Sequence, residues 1–332
     1  MSFDGVFIQS NESGGNRVFA FPREADGRLG DPAVVETGGK GDGVPHLTSQ
    51  GSVVLTSDGE RVLVTNAGSD DLTILSATAQ PEVLSIVPSG GSAPKSVTEH
   101  DGLGYVLNAG DGSIMGFRLS GEKVGSAQLP DGADPAQIGF KPDGSALVVT
   151  DRASNALFVF PVDGAGELGE PQATPSAGPT PYGFTFVGDD TLVVTEAFGA
   201  ARGKAAASSY RLDGDSAANV TESVGNGRSE ICWAVASPDG RYVFTTNFAD
   251  SAVSRYAVGA GSKLELDDAV AGTAVDGRPG LRDEDLSADG RFLYAVDADG
   301  GRVFGWKIED GRLDSLGSWN GLPATVAGIA VT

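Results

Sequence analysis

The chain has one cysteine and two histidines in 332 residues. A single thiol, Cys232, excludes an internal disulfide. With only His46 and His100 beside it, no Cys/His spacing suggests a zinc site, and no cofactor is expected, the alternative being a divalent cation held by carboxylates of the central channel. Bases are scarce too: 23 Lys and Arg stand against 45 Asp and Glu, a net charge of −22. A surface this acidic repels phosphate backbones and anionic lipid, so nucleic acid and membranes are not expected partners. No apolar run approaches the ~18 residues of a helical membrane span. The opening "MSFDGVFIQS" carries an acid where a secretion signal carries base, and it has no apolar core segment. The expectation is a cytoplasmic protein. Helical periodicity is missing, as are a nucleophile elbow, a phosphate loop and a dinucleotide fingerprint.

Glycine, by contrast, is abundant at 49 residues without a collagen-like period, which reads as many turns. The turns belong to a repeat. "SQGSVVLTSDGERVLVTNAG" (Ser49–Gly68) is echoed by "PKSVTEHDGLGYVLNAG" (Pro94–Gly110). Further copies are "DPAQIGFKPDGSALVVTDRAS" (Asp134–Ser154), "TPYGFTFVGDDTLVVTEAFG" (Thr180–Gly199), "SEICWAVASPDGRYVFTTNFA" (Ser229–Ala249) and "LRDEDLSADGRFLYAVDADG" (Leu281–Gly300). Each is a short apolar strand, a tight turn, a second apolar strand ending in Asn, Asp or Glu, a loop and a third strand. The copies lie about 41–52 residues apart, the size of a four-stranded propeller blade.

A seventh copy is split. Gly5–Phe21 supplies second and third strands without a first, and "ATVAGIAVT" (Ala324–Thr332) is a lone apolar strand. Pairing about 1–35 with 322–332 closes a ring. Strands such as "RVLVT" and "RFLYAV" are apolar on both sides of the pleat and need cover on both faces, which flanking blades provide. The Asp-Gly dipeptides supply the positive φ that tight hairpins require. The expected fold is therefore all-β: one seven-bladed β-propeller domain of four-stranded blades, spanning 1–332 and closed by its two terminal strands. Nothing requires an oligomer, so a monomer is expected.

The blades "SPDGRYVFTTN", "KPDGSALVVTD" and "SADGRFLYAVD", with the third-strand pattern "RVFAFPREADGRLG", resemble lactonase-type seven-bladed propellers. That family includes 6-phosphogluconolactonase-like proteins and the carboxymuconate lactonising enzyme. The resemblance covers essentially the whole chain. It implies hydrolysis or formation of a lactone on a small carboxylated metabolite at the top of the central channel. The relatives commonly carry a Pro-His signature leading into an inner strand; here the matching places read "SQGS" (Ser49–Ser52) and "DPAQ" (Asp134–Gln137). A chain that kept the scaffold and lost those histidines would instead be a non-catalytic binding or protein-interaction platform.

Propeller geometry sends the loops before each first strand and after each second strand to one face, here the top. The first ring of residues there holds Gln50, Lys95, Gln137, Tyr182, Glu230, Arg282, Asp283 and Glu284. The second ring holds Asn66, Asn108, Asp151, Glu196, Asn247 and Asp297. Convergent polar groups in a concave channel mark a binding site for a small-molecule substrate. Arg282 and Lys95 are the carboxylate-binding candidates, with Gln50, Gln137, Asp283 and Glu284 beside them. Glu196, Glu230 and His46 are the general acid or base candidates, and Tyr182 the donor to a developing oxyanion. His100, in the "EHDG" turn, is expected on the far face. Cys232 is expected to be a buried, inert thiol. The long loop Glu196–Tyr210, bearing Arg202 and Lys204, is expected to flap over the channel.

Overall fold

In the computed structural model, which describes residues 3–274 and 278–332, the chain forms seven antiparallel sheets of four strands each. Their inner strands are Ala327–Val331, Val53–Leu55, Pro94–His100, Pro135–Phe140, Pro181–Val187, Ile231–Ala236 and Leu281–Leu286, numbered here as blades one to seven. These strands contact one another in that order, and the last returns to the first. The propeller is closed as the split repeat requires: Ala327–Val331 pairs with Gly5–Gln9, joining the chain's two ends in blade one. No helix among the described residues is long and apolar enough to cross a membrane.

The packing follows from the strand sequences. Second strands such as Ala146–Asp151 and Phe292–Asp297 are buried at every position, because a blade covers each face. Fourth strands lie at the rim and are mostly exposed, as in Gln172–Pro175. The hydrophobic core is thus a series of clusters between adjacent blades. One joins Val148, Val159 and Phe184 of blades four and five; another joins Phe244, Leu293 and Trp306 of blades six and seven.

The first-to-second strand turns share one design. In Ser237-Pro-Asp-Gly the serine hydroxyl donates to the Asp239 carboxylate at 2.7 Å, which also accepts the Arg241 N–H, while Gly240 takes φ +69°. Ser287 to Asp289 and Thr56 to Asp58 repeat it, with Gly290 and Gly59 at φ +68°. The donated hydrogen bond from Ser237 is the main reason that the Asp239 carboxyl is lowered to about 2. These turns form the bottom face. His100 ends its inner strand there, 5.6 Å from the Phe140 ring.

At the opposite end, the inner strands of six blades are bulged. The register of pairing to the second strand shifts between Pro94 and Ser96, Pro135 and Gln137, Pro181 and Phe184, Ile231 and Ala234, and Leu281 and Glu284. In blade one the shift falls opposite Gly328. A bulge leaves backbone unpaired and re-aims the side chains beside it. The residues so released include Lys95, Tyr182, Cys232, Trp233, Arg282 and Asp283.

Candidate active site at the top of the channel

Blade two has no such bulge, and its inner strand is only three residues long. The chain ahead of it crosses the channel instead. His46, Leu47 and Thr48 take φ of +66°, +49° and +53°, three consecutive left-handed residues without a glycine. Each such residue is disfavoured for an L-amino acid, so the surrounding contacts hold the segment in place. Those contacts reach across the ring. The Trp233 indole donates to the Ser49 carbonyl at 2.9 Å. The Gln50 amide accepts from the Ala234 N–H at 3.1 Å and donates to its carbonyl at 3.0 Å.

The first expectations to be corrected concern the two glutamines. Gln137 pairs with both backbone groups of Phe184, accepting at 2.6 Å and donating at 3.1 Å. Gln50 does the same at Ala234. Both amides are therefore occupied by backbone on the inner, channel-facing edge of the innermost strands, where a lost partner would strand a buried polar group. They seal the channel rather than present themselves to a ligand.

The crossing segment delivers His46 to the centre. Its Nδ1 bonds the Asp283 carboxylate, and its Nε2 lies 2.5 Å from the Tyr182 hydroxyl. Three blades thus supply one chain of hydrogen bonds, with His46 2%, Tyr182 5% and Asp283 1% exposed. Asp283 also accepts the Gly328 N–H at 2.6 Å. A carboxylate only accepts, so His46 carries its proton on Nδ1 and offers Nε2 to the tyrosine. Asp283, expected to bind substrate, is therefore occupied in orienting the imidazole.

Tyr182 sits between bases. The Arg152 guanidinium lies over its ring, 5.4 Å from the centroid, and is itself held by Asp134 at 2.5 Å. Arg282 stacks on Phe248 at 3.6 Å from the ring centroid, and among the described residues its one ion pair is with Asp299 at 4.0 Å. Burial raises the phenol well above its ordinary range, and the charges of Arg152 and Arg282 oppose that rise. The hydroxyl therefore stays protonated at neutral pH. Cys232, beside this cluster, is buried, and burial pushes its thiol up to about 12, as expected of an inert group.

The remaining candidates divide. Lys95 and Glu230 are half-buried at the starts of their inner strands, in the upper ring with Arg282. Glu196 is not in the channel. Its carboxylate accepts from Gly178 N–H at 2.8 Å, the Ser208 hydroxyl at 2.6 Å and the Ser223 hydroxyl, tying together the second, third and fourth strands of its own blade. The same holds across the second ring: Asn66 bonds Thr73 and Asp71, Asn247 bonds Ser254, and Asp297 bonds Arg302. A strand-terminal residue in a radial sheet points between strands, not down the axis. The expectation that this ring lines the site is corrected for that reason. Glu284 is also corrected: it is fully buried lower in the channel wall, below Arg282. The Glu196–Tyr210 loop holds a short turn at Phe198–Ala200, and Arg202 and Lys204 on it are exposed.

Arg152, Trp233 and Phe248 went unnoticed in the sequence. Arg152 follows the second strand of blade four in "TDRAS", where each repeat has a loop residue of some kind, so only its charge could have flagged it. Among the described residues, no group of three or more His, Cys, Asp and Glu is arranged to hold a metal ion.

A family model described as lactonase, seven-bladed β-propeller, matches residues 118–197 and 197–325. No curated protein matches the chain. Similar solved structures include a Lactobacillus plantarum protein at 16% identity, covering 99% of each chain with a TM-score of 0.78. A Bacteroides fragilis protein described as a candidate 6-phosphogluconolactonase is 15% identical over 98% of this chain and 97% of that one, with a TM-score of 0.76. The periplasmic gluconolactonase PpgL of Pseudomonas aeruginosa is 16% identical over 98% of each, with a TM-score of 0.74. At these identities the structural likeness shows the fold.

Proposed function

The chain belongs to the lactonase family of seven-bladed β-propellers, and from that premise we propose that it hydrolyses a small lactone at the top of the channel, using Tyr182, His46 and Asp283 as a proton relay. The observation that carries this reading is the hydrogen-bonded line from Asp283 through His46 to the Tyr182 hydroxyl. It has the logic of an oriented base: a carboxylate fixes the imidazole, and the imidazole draws a proton from a hydroxyl.

In this mechanism a water molecule above Tyr182 gives a proton to the phenolic oxygen as its O–H proton passes to His46 Nε2. The resulting hydroxide adds to the lactone carbonyl. The guanidinium groups of Arg282 and Arg152 stabilise the oxyanion. Collapse of the tetrahedral intermediate breaks the ring C–O bond, and the proton returns from the imidazolium through Tyr182 to the leaving alkoxide. The product is the open-chain hydroxy acid. Lys95, half-buried in the same upper ring, is available to a carboxylate or other anionic substituent. Glu230 takes no part in these steps.

The test is the rate of glucono-δ-lactone and γ-lactone hydrolysis above the buffer rate, for wild type and Tyr182→Phe. Removing one proton-transfer group is expected to lower kcat by about 10²–10⁴, with an unchanged circular dichroism spectrum. Wild type without turnover on any lactone, or Tyr182→Phe as fast as wild type, overturns the proposal and favours the non-catalytic platform.

A further inference from the structure

The crossing segment makes a left-handed turn out of His46, Leu47 and Thr48, whereas residues other than glycine enter that region singly. Gly43 and Gly51, at φ +78° and +82°, bracket it and let the chain leave blade one and rejoin blade two. Left to itself such a turn relaxes, so the position of His46 depends on what pins the two ends.

The upstream end rests on the ring closure. His46 N–H donates to the Val326 carbonyl at 3.1 Å, and Leu47 is buried with Ala67 and Ala327. The downstream end is held from other blades. The Ser49 hydroxyl donates to the Lys95 carbonyl at 2.7 Å, and the Gln50 N–H to the Ala136 carbonyl at 3.1 Å. The buried Trp233 indole donates to the Ser49 carbonyl at 2.9 Å. Among the described residues, Trp233 is the one side chain of another blade that hydrogen-bonds the backbone of residues 46–49. The bulge between Ile231 and Ala234 aims it there. Blade five makes room for the contact: a Cβ on Gly183 would lie 2.1 Å from Gln50 Oε1, 2.7 Å from the Cys232 carbonyl oxygen and 3.1 Å from the Trp233 Cα. A glycine stands where the segment and the Trp233 strand approach most closely.

We propose that Trp233 is a positioning residue for His46: its indole N–H pins the exit of the left-handed turn, and the pinned turn keeps the imidazole between Asp283 and Tyr182. Released at Ser49, the turn is free to relax towards right-handed backbone. A change in the sign of φ at these residues moves the His46 Cβ relative to both hydrogen-bond partners. A proton-transfer group misplaced by about 1 Å loses up to about 10²-fold in rate. The placement of His46 does not depend on the lactone reading; its effect on turnover rests on that reading.

The test exploits the scarcity of histidine. Hydrogen exchange of the ring N–H groups is followed by NMR on protein carrying isotope-labelled histidine, and His100→Gln assigns the signal of His46. Wild type is expected to show His46 protonated on Nδ1, with a slowly exchanging N–H. Trp233→Phe keeps a ring in the core but no donor. It is expected to speed that exchange by about tenfold or more, the worth of one buried hydrogen bond. It is also expected to lower kcat for a lactone by about 10–10²-fold, with KM changed less than kcat. Trp306→Phe, the same truncation in the core between blades six and seven, is expected to leave both readings at their wild-type values. Should Trp233→Phe not fold, Gly183→Ala presses on Gln50 while keeping the indole; it is expected to speed the exchange likewise, and it is read by exchange alone because it adjoins Tyr182. Unchanged His46 exchange in folded Trp233→Phe or in Gly183→Ala, or equal acceleration in Trp306→Phe, overturns the proposal, as does an unchanged kcat in Trp233→Phe where wild type is active. Faster exchange in Trp233→Phe beside a wild type that hydrolyses no lactone sustains the proposal and fails only the lactone reading.

Discussion

Acids buried or half-buried among the blades set the direction in which pH moves stability. Burial raises the Asp285 carboxyl to about 7, against the pull of the Leu286 and Val331 N–H groups. In the unfolded chain the same group titrates near 3.9. Between those values the folded protein holds a proton that the unfolded chain has lost. Stability therefore falls as pH rises, by about 1.4 kcal/mol per pH unit for each such group. From pH 5.5 to 7.0 Asp285 alone accounts for roughly 2 kcal/mol. Glu284 and Glu196 are raised by burial and act with the same sign. The depressed acids, such as Asp143 and Asp239 at about 2, lose their stabilisation only as pH falls through the acid range below this window. For a chain of this length, 2 kcal/mol is about 3 °C in Tm. The assay is urea denaturation at constant, high salt from pH 5.5 to 7.0, which suppresses the general repulsion of a −22 surface. Wild type is expected to lose stability with a slope of at least one proton, and Asp285→Asn to lose about one proton less. A flat or rising profile in wild type, or an unchanged slope in Asp285→Asn, refutes the reasoning.

Two further outcomes test how the ring is held. Gln137→Leu strands the Phe184 N–H and carbonyl that its amide satisfies; thermal unfolding should show a loss of about 2–5 kcal/mol, and equal stability would remove the sealing role. Glu196→Ala breaks three hydrogen bonds within blade five, so it should lower Tm yet keep kcat for any lactone that wild type hydrolyses; a selective loss of kcat would return Glu196 to the active site.

The repeat was legible in the chain because its determinants are local. An Asp-Gly turn with a serine or threonine two residues before the aspartate needs only its own neighbours, as Ser237, Asp239 and Gly240 show. Apolar second strands report cover on both faces wherever they lie. The ring closure was legible too, because Ala327–Val331 had no partner within its own repeat. Residues of the candidate site were named one by one, His46, Tyr182, Asp283 and Arg282 among them. Their combination was not legible.

The reason is distance along the chain. His46 and Asp283 are 237 residues apart, and His46 and Tyr182 136. No local pattern encodes that the segment before blade two leaves its own blade and crosses the axis. Nor does it show which ring residues turn inward. Glu196 and Tyr182 read alike as polar groups at the end of a blade, but a bulge re-aims Tyr182 while regular pairing holds Glu196 among its own strands. The bracing of the channel by Gln50 and Gln137 likewise exists only once strands of different blades meet around the axis. Turn chemistry and strand pattern, which act over a few residues, determined the architecture; the bulges and the crossing segment, which act across the axis, decided where the chemistry lies.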